Sequence, residues 1–290
     1  MSKRFFINYV LIVCVLHGSV RANQDYEQIE CIITPMASRS KDKPYAHRSG
    51  AEHNSHPLIP GPQSDTRLPS NQATSTNWGG YVAVSKLTKP AKNSVTAVFG
   101  SWIVPVVVPA NNDTYSAFWI GIDGYTSPTV EQIGTAHDFV GGAARHYAWF
   151  EMYPGPSYLI GGFPLNPGDV ISASVKYAGN NIFTLALYNN TQKVSTTIPS
   201  SYTRSTTAQR SCAEWVVEAP WWNGILPLTD FITGYLWGCM ATINGVTGSI
   251  NNPKWQNLAV TMVTNTNAPK AIPSALLQDN GSFFVTWAHQ

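Results

Sequence analysis

The 290-residue sequence has little charge and few cysteines. Lys, Arg, Asp and Glu make up 12% of the chain, about half of the usual quarter. The net charge is +2, whereas proteins that bind nucleic acid electrostatically show a strong basic excess. Four cysteines are too few for a fold of this length to be built on disulfides. We therefore expect neither a nucleic-acid partner nor a disulfide scaffold.

Long hydrophobic runs are missing except at the N-terminus. There, basic residues precede a largely apolar stretch over 5–20, and small residues precede a plausible cleavage site after Ala22. This pattern predicts a signal peptide over 1–22. A membrane anchor is the alternative, but Asn8 and His17 interrupt the run, and a span needs about 20 apolar residues. We expect a secreted protein with no membrane association once the signal is removed.

The composition changes near residue 73. Segment 23–72 is rich in charge, proline and histidine, with too few apolar side chains to offset the entropy of ordering it. All ten tryptophans follow it. We predict a pro-segment over 23–72, largely disordered or inhibitory, before one domain over 73–290; an ordinary flexible extension is the alternative. The histidines and carboxylates of this segment, called the leader below, change charge between about pH 7 and 3, so acid is expected to weaken the contacts of the leader with the domain.

The domain has sparse charge, two cysteines and three glycosylation sequons. Ten basic and ten acidic side chains limit self-repulsion at low pH, so the composition tolerates acid. In an oxidising compartment, Cys212 and Cys239 are expected to form a structural disulfide. Neither has metal-ligand spacing to another Cys or His, so no metal or other cofactor is expected. The sequons at Asn112, Asn189 and Asn280 are candidate glycosylation sites.

The sequence of the domain predicts an all-β fold. Short runs rich in β-branched and aromatic residues alternate with Gly, Pro, Asn and Ser clusters, and no window shows capped helical periodicity. The cluster at 178–181 is typical of a hairpin turn. Many short strands in one unit favour a sandwich or jelly roll over a small barrel. The predicted strands are 81–84, 97–104, 117–123, 146–153, 170–177, 182–188 and 214–218.

The usual hydrolase signatures are absent. There is no G-x-S-x-G elbow, no H-E-x-x-H pair and no aspartic-peptidase Asp-Thr-Gly or Asp-Ser-Gly. Acids inside predicted strands stand out instead, because a carboxyl group among Trp and Val is costly to bury without a partner or a purpose. Asp123, Glu151 and Glu214 meet this description, with Glu218 as a fourth. Strand alternation predicts aromatic faces carrying acids, typical of a cleft that binds peptide or polysaccharide.

Five segments of the chain, taken in order, resemble the segments of one known family. They are NWGG at 77–80, WIGIDG at 119–124, QIG at 132–134 with DF at 138–139, AWFEMYP at 148–154 and AEWVVE at 213–218. The family that they resemble is the glutamic peptidases or eqolisins (peptidase family G1), and the likeness covers roughly 76–264. The resemblance implies a two-sheet antiparallel β-sandwich of the jelly-roll or concanavalin-like type, with a concave face that binds a polypeptide.

The family works with a Gln and Glu dyad, which matches Gln132 and Glu214 here. In acid, a glutamate with an ordinary pKa of about 4.3 is partly ionised and can accept a proton from water. It can then pass that proton to the leaving amine. The amide of Gln132 is neutral at every pH, so its N–H can donate to the developing oxyanion without competing for the proton.

Other positions match the family's supporting residues. Trp119, Asp123 and Glu151 match positions that support the dyad, and Asp123 is expected to orient Gln132 or a neighbour. Trp78 is a candidate for substrate binding, although Trp78 and Trp119 are also readable as core aromatics. The sequence departs from the family at 131, where an apolar residue is usual. This extra acid is expected either to perturb Glu214 or to point into solvent.

These observations predict a monomeric, secreted, acid-active endopeptidase that is made as a precursor and needs no cofactor. Two alternatives stay open. One is a jelly-roll glycoside hydrolase in which Glu151 and Glu214 form the carboxyl pair; such pairs lie about 5–5.5 Å or about 6.5–9.5 Å apart. The other is a non-catalytic, lectin-like binding protein.

Overall fold

The computed structural model describes residues 26–36, 56–62, 71–206 and 208–290. The predicted signal peptide lies outside them. The described residues form β-strands and one 3-10 turn at Ser200–Tyr202, and none of their helices is long and apolar enough to cross a membrane. The strands are Glu27–Gln28 (β1), Ile32–Pro35 (β2), Gln72–Ser75 (β3), Trp78–Val84 (β4), Val95–Ile103 (β5), Ala117–Ile122 (β6), Val130–Val140 (β7), Ala143–Tyr153 (β8), Ser157–Gly161 (β9), Val170–Gly179 (β10), Ile182–Asn189 (β11), Val194–Thr197 (β12), Cys212–Glu218 (β13), Thr233–Ile243 (β14), Val246–Ser249 (β15), Gln256–Val263 (β16), Pro269–Pro273 (β17) and Phe283–Trp287 (β18).

Two sheets form a sandwich. The first has the order β12-β11-β10-β5-β14, and the second has the order β16-β4-β13-β6-β7-β8-β9. All of these pairs are antiparallel. Strands β17 and β18 join β16 to β14 and so connect the two sheets at one edge. The predicted all-β sandwich is confirmed.

All seven predicted strands are present, with bounds shifted by a few residues. The hairpin between β10 and β11 turns through Gly179, Asn180 and Asn181, all with positive φ, a conformation that Gly and Asn adopt readily. The sequence analysis did not predict β7. Ten of its eleven residues are buried, as in β6 and β13, but polar side chains are mixed with apolar ones along β7, so it lacks the run of β-branched and aromatic residues by which the other strands were predicted.

Two clusters of buried side chains lie on the two sides of the second sheet. The core cluster lies between the sheets and includes Trp102, Phe118, Phe150 and Trp215, all fully buried. Each such aromatic side chain contributes roughly 1.5–3 kcal/mol through burial. The outer cluster lies on the other face of the second sheet. It includes Trp78, Val82, Trp119, Trp149, Cys212 and Val216.

Two pieces of the predicted pro-segment pack against the domain. Strand β1 pairs in parallel with β12, and β2 adds an antiparallel strand to the free edge of β9. Met36, which follows β2, is buried in the outer cluster. Farther along the chain, Pro60 forms an isolated bridge with Ser75. These parts of the leader are therefore bound to the sandwich.

The predicted disulfide between Cys212 and Cys239 is absent, and both thiols are free. Cys212 belongs to the outer cluster and Cys239 to the core cluster, so their side chains lie on different sides of the second sheet. A disulfide needs Cα atoms within about 7 Å and Cβ vectors that face each other. The sandwich keeps these two residues apart, which overturns the prediction.

The three glycosylation candidates differ in exposure. Asn112 and Asn280 are exposed and stay predictions. Asn189 is fully buried, and its Nδ2 donates to the carbonyl oxygen of Pro164 and to Oδ2 of Asp169. The folded structure leaves no room for a glycan on that nitrogen, so Asn189 is corrected to a structural residue.

The free thiols can be checked by mass spectrometry. Iodoacetamide should alkylate both Cys212 and Cys239 in the unfolded, unreduced protein. Neither should react in the native protein, because both are fully buried and burial raises the pKa of each thiol well above its usual range. A peptide cross-linked through Cys212 and Cys239 in an unreduced digest would contradict the assignment.

Candidate active site

Three of the candidate residues stand in one row across four neighbouring strands. Glu214 pairs with Gly121, Gly121 with Gln132, and Gln132 with Glu151. Directly paired residues point to the same face of a sheet, which here is the face of the outer cluster. Two strand spacings, about 10 Å, separate the backbones of Glu214 and Gln132. Gly121, the residue between them in the ladder, has no side chain, and a Cβ atom there would lie 3.0 Å from the ring of Trp119 and 3.1 Å from Cβ of Gln132.

The amide of Gln132 is held by Glu151. Gln132 Nε2 donates to Glu151 Oε2 at 2.9 Å, and Ser157 Oγ donates to Oε1 of the same carboxylate at 2.9 Å. An ionised carboxylate only accepts hydrogen bonds, so Glu151 fixes which end of the amide carries the N–H groups. Gln132 Oε1 is buried and without a partner. Ser157 was missed by the sequence analysis, although its pairing with Glu151 follows from the tight turn around Gly155.

Glu214 is fully buried, and neither of its carboxyl oxygens has a hydrogen-bond partner. Burial raises its pKa well above the usual range for glutamate. The thiol of Cys212, two residues earlier on the same face of β13, acts in the opposite direction, while the charges of Asp123 and Glu131 raise the pKa further. Its neutral form is therefore favoured in the full chain. Because the sequence analysis assigned Cys212 to a disulfide, it did not predict that this thiol acts on Glu214.

Asp123 holds the chain that enters β13. Its carboxylate accepts three successive backbone N–H groups from 209–211, at 2.7, 2.6 and 2.8 Å, and the hydroxyl of Ser211 at 2.9 Å. The residue lies just after β6 with φ of 71°, which turns it away from the regular alternation. Asp123 therefore positions the segment that leads into the strand of Glu214, so of the two expectations for this residue, Gln132 or a neighbour, the contacts favour a neighbour.

The extra acid, Glu131, does not point into solvent. It is fully buried, its Oε1 accepts the hydroxyl of Ser205 at 2.6 Å, and its Oε2 has no partner. Burial raises its pKa well above the usual range, and the charge of Asp123 adds to this. Since the charge of Glu131 in turn raises the pKa of Glu214, the structure favours the first of the two expectations for this residue.

Two tryptophans, Trp78 and Trp119, lie in the outer cluster on the same face as the paired candidate residues. Trp78 and Trp119 meet edge to face with ring centroids 4.9 Å apart, and both are fully buried. Trp119 Nε1 donates to Glu218 Oε2 at 2.8 Å, so Glu218 is a partnered structural acid. Trp78 Nε1 donates to the carbonyl oxygen of His56 in the leader at 2.9 Å. The site residues are thus brought together on one face, and that face is covered in the full chain.

Replacing Glu131 with Gln should stabilise the protein at neutral pH. Between the pKa of the unfolded chain, about 4.3, and the raised pKa of the folded state, this acid keeps its proton in the folded protein and loses it in the unfolded chain. The free energy of unfolding therefore falls as the pH rises through this range. The neutral Glu131→Gln variant escapes this loss, which amounts to about 1.4 kcal/mol per pH unit up to the folded pKa. The free energies of unfolding in urea should be similar at pH 3 and favour the variant at pH 7. Equal pH dependence in the two proteins would contradict this assignment.

A sequence model of the Peptidase A4 family matches residues 76–282, well over half of the chain. Comparison with curated protein sequences gives no match.

Solved structures of glutamic peptidases share the fold. Scytalido-glutamic peptidase with a transition-state analogue inhibitor aligns with a TM-score of 0.61 and 22% identity, covering 73% of this chain and 98% of that one. SCP-B, an eqolisin in complex with the tripeptide Ala-Ile-His, aligns with a TM-score of 0.57 and 20% identity over the same shares. Aspergilloglutamic peptidase from Aspergillus niger gives 0.52 and 22% identity, covering 60% of this chain and 99% of that one.

Proposed function

Because the chain belongs to the Peptidase A4 family, the glutamic peptidases or eqolisins, it is a hydrolase, and we propose that it is a secreted, acid-active endopeptidase made as a precursor. Gln132 and Glu214 are its catalytic dyad. The observation that carries this assignment is the register, in which Gly121 pairs with both residues and the two side chains lie on one face of the sheet. Both side chains carry oxygens that are buried and unpartnered.

The chemistry follows from the two groups. Once the face is open to water, ionised Glu214 accepts a proton from a water molecule whose oxygen attacks the peptide carbonyl. The N–H of Gln132 that Glu151 does not use donates to the oxyanion that forms. Protonated Glu214 then gives its proton to the leaving nitrogen as the C–N bond breaks. The products are a carboxylic acid and an amine, and Glu214 returns to its ionised form.

Two contacts support the geometry that this reaction needs. Glu151 and Ser157 hold the amide of Gln132 in one orientation, and Asp123 fastens the segment that leads into the strand of Glu214. A donor that is fixed before the reaction costs no reorganisation when charge develops. We assign Glu151 and Asp123 as positioning residues for Gln132 and Glu214 respectively.

The register argues against the alternative of a glycoside hydrolase. Glu151 and Glu214 lie three strand spacings apart, about 14 Å between backbones, and Gln132 stands between them as the partner of Glu151. A carboxyl pair lies about 5–9.5 Å apart, whereas Glu151 is engaged by Gln132 and Ser157 on the far side of Gln132 from Glu214. The lectin-like alternative has no supporting observation in the site.

Secretion, acid activity and the precursor rest on separate observations. The N-terminal pattern of 1–22 supports secretion, and the low charge of the domain supports tolerance of acid. The two leader pieces that pack on the sandwich support a precursor, because they connect the signal region to a domain whose site they cover.

Loss of either dyad residue should abolish hydrolysis of a denatured protein between pH 2 and 5. Glu214→Gln removes the base, and Gln132→Ala removes the oxyanion donor; removing one such donor costs about 100- to 1,000-fold in comparable sites. Each rate is measured on protein from which the leader has been released, with circular dichroism as the check on folding. The control is Asp113→Asn, an exposed acid, which should keep full activity. A folded Glu214→Gln variant with wild-type activity would disprove the dyad.

A further inference from the structure

The candidate dyad is closed to solvent in the full chain. Gln132, Glu214 and Trp119 are each 0% exposed, yet a working peptidase must admit a peptide and a water molecule to such a face. Residues of the leader supply part of the cover. Met36 is buried within the outer cluster, and Leu58 packs against it.

The backbone of His56 is bound by residues next to the dyad. Its N–H donates to Glu218 Oε1 at 3.0 Å, and its carbonyl oxygen accepts Trp78 Nε1 at 2.9 Å. Its imidazole lies between two aromatic rings, with centroid distances of 5.5 Å to Tyr153 and 5.1 Å to Trp221. This residue is held by three separate parts of the domain.

The next residues continue along the same face. Leu58 N–H donates to the carbonyl oxygen of Gly124 at 3.1 Å, and Ile59 N–H donates to Asn77 Oδ1 at 2.8 Å. The carbonyl oxygen of Ile59 in turn accepts Ser75 Oγ at 2.8 Å. Main-chain hydrogen bonds with side chains packed between them are the usual way in which an extended peptide is recognised.

The sequence of this segment fits its position. Pro57 and Pro60 restrict φ, which reduces the entropy lost on binding. Gly61 approaches the domain so closely that a Cβ atom there would lie 2.5 Å from Thr74 Oγ1 and 2.9 Å from a methyl group of Val263. The fit is therefore specific to the residues present.

We propose that residues 56–62 are a tethered, substrate-like inhibitor that occupies the peptide-binding face of the precursor. This inference rests on the proposed function, since it names what regulates that site. It also describes the substrate. The face takes an apolar side chain where Leu58 lies, and a flat ring, between Tyr153 and Trp221, where His56 lies.

Burial also affects the proposed catalytic base. It raises the pKa of Glu214 and favours the neutral form, and a protonated carboxyl group cannot accept a proton from water. Access of water to Glu214 lowers its pKa toward the ordinary value of glutamate, so the face has to open before the base can ionise.

The test compares Leu58→Asp with Ile32→Ser in the full-length protein. Leu58→Asp places a charge against the outer cluster and should release the segment; Ile32 is a leader residue that is 73% exposed. The full-length Leu58→Asp variant should hydrolyse a short apolar peptide at least about 10-fold faster than the full-length wild type. The intact mass of each protein verifies that its leader has not been cleaved. Ile32→Ser should match wild type.

Amide hydrogen exchange provides a readout that does not need activity. In wild type and Ile32→Ser, the amides of Leu58 and Ile59 should be protected, and Leu58→Asp should lose this protection. Fast exchange at 56–62 in wild type would overturn the docking. Equal hydrolysis by wild type and Leu58→Asp would overturn the inhibition. The two proposals can also fail separately. If protein from which the leader has been released shows no hydrolysis, while the amides of 56–62 are protected in the full-length protein, the proposed function fails and the docking stands.

Discussion

The structure depends on the burial of four glutamates in a domain that has very little charge. Glu131, Glu151, Glu214 and Glu218 are all within 1% of full burial, and they are the only glutamates of the chain from residue 73 onward. A buried carboxyl group costs several kcal/mol unless it is partnered or neutral. The sheet therefore has to supply donors or accept a proton at each of these positions, and it does so differently at each one.

The partners divide these acids into two groups. Glu151 accepts side-chain hydrogen bonds on both of its oxygens, and Glu218 accepts the backbone N–H of His56 on one oxygen and Trp119 Nε1 on the other, so each is partnered as an acceptor. Glu214 has no donor on either oxygen, and Glu131 has one on a single oxygen; burial raises the pKa of both. Environments that separate the protonation of similar groups are typical of sites that move protons. The division places Glu214 and Glu131 in one group, and of these two only Glu214 lies in the row that contains Gln132.

The sequence predicted strands that are rich in β-branched and aromatic residues, and it missed what depends on contacts between distant segments. The strand of Glu214 was predicted because such residues surround the acid, and its role came from a resemblance. The strand of Gln132 was missed because polar side chains are mixed with its apolar residues, so neither an apolar run nor a period of two is present. Nothing local in the sequence shows that Asp123 binds 209–211, some 86 residues later. The predicted disulfide failed for the same reason, since Cys212 lies on the outer face of the second sheet and Cys239 lies in the core cluster, on a strand of the first sheet.

The direction of the pKa shift at Glu214 restricts how acid can release the leader. An acid whose pKa is raised by the cover favours the covered state at low pH and opposes it as pH rises, so Glu214 alone would loosen the cover at neutral pH. The proposed release in acid therefore cannot come from Glu214. The carboxylate of Glu218 accepts the N–H of His56 together with Trp119 Nε1, so one contact between the leader and the domain depends on an acidic acceptor. Glu214 and Glu218 thus meet different demands on the same face, since the proposed base has to ionise after the face opens, whereas the acceptor that holds the leader is used while the face is closed.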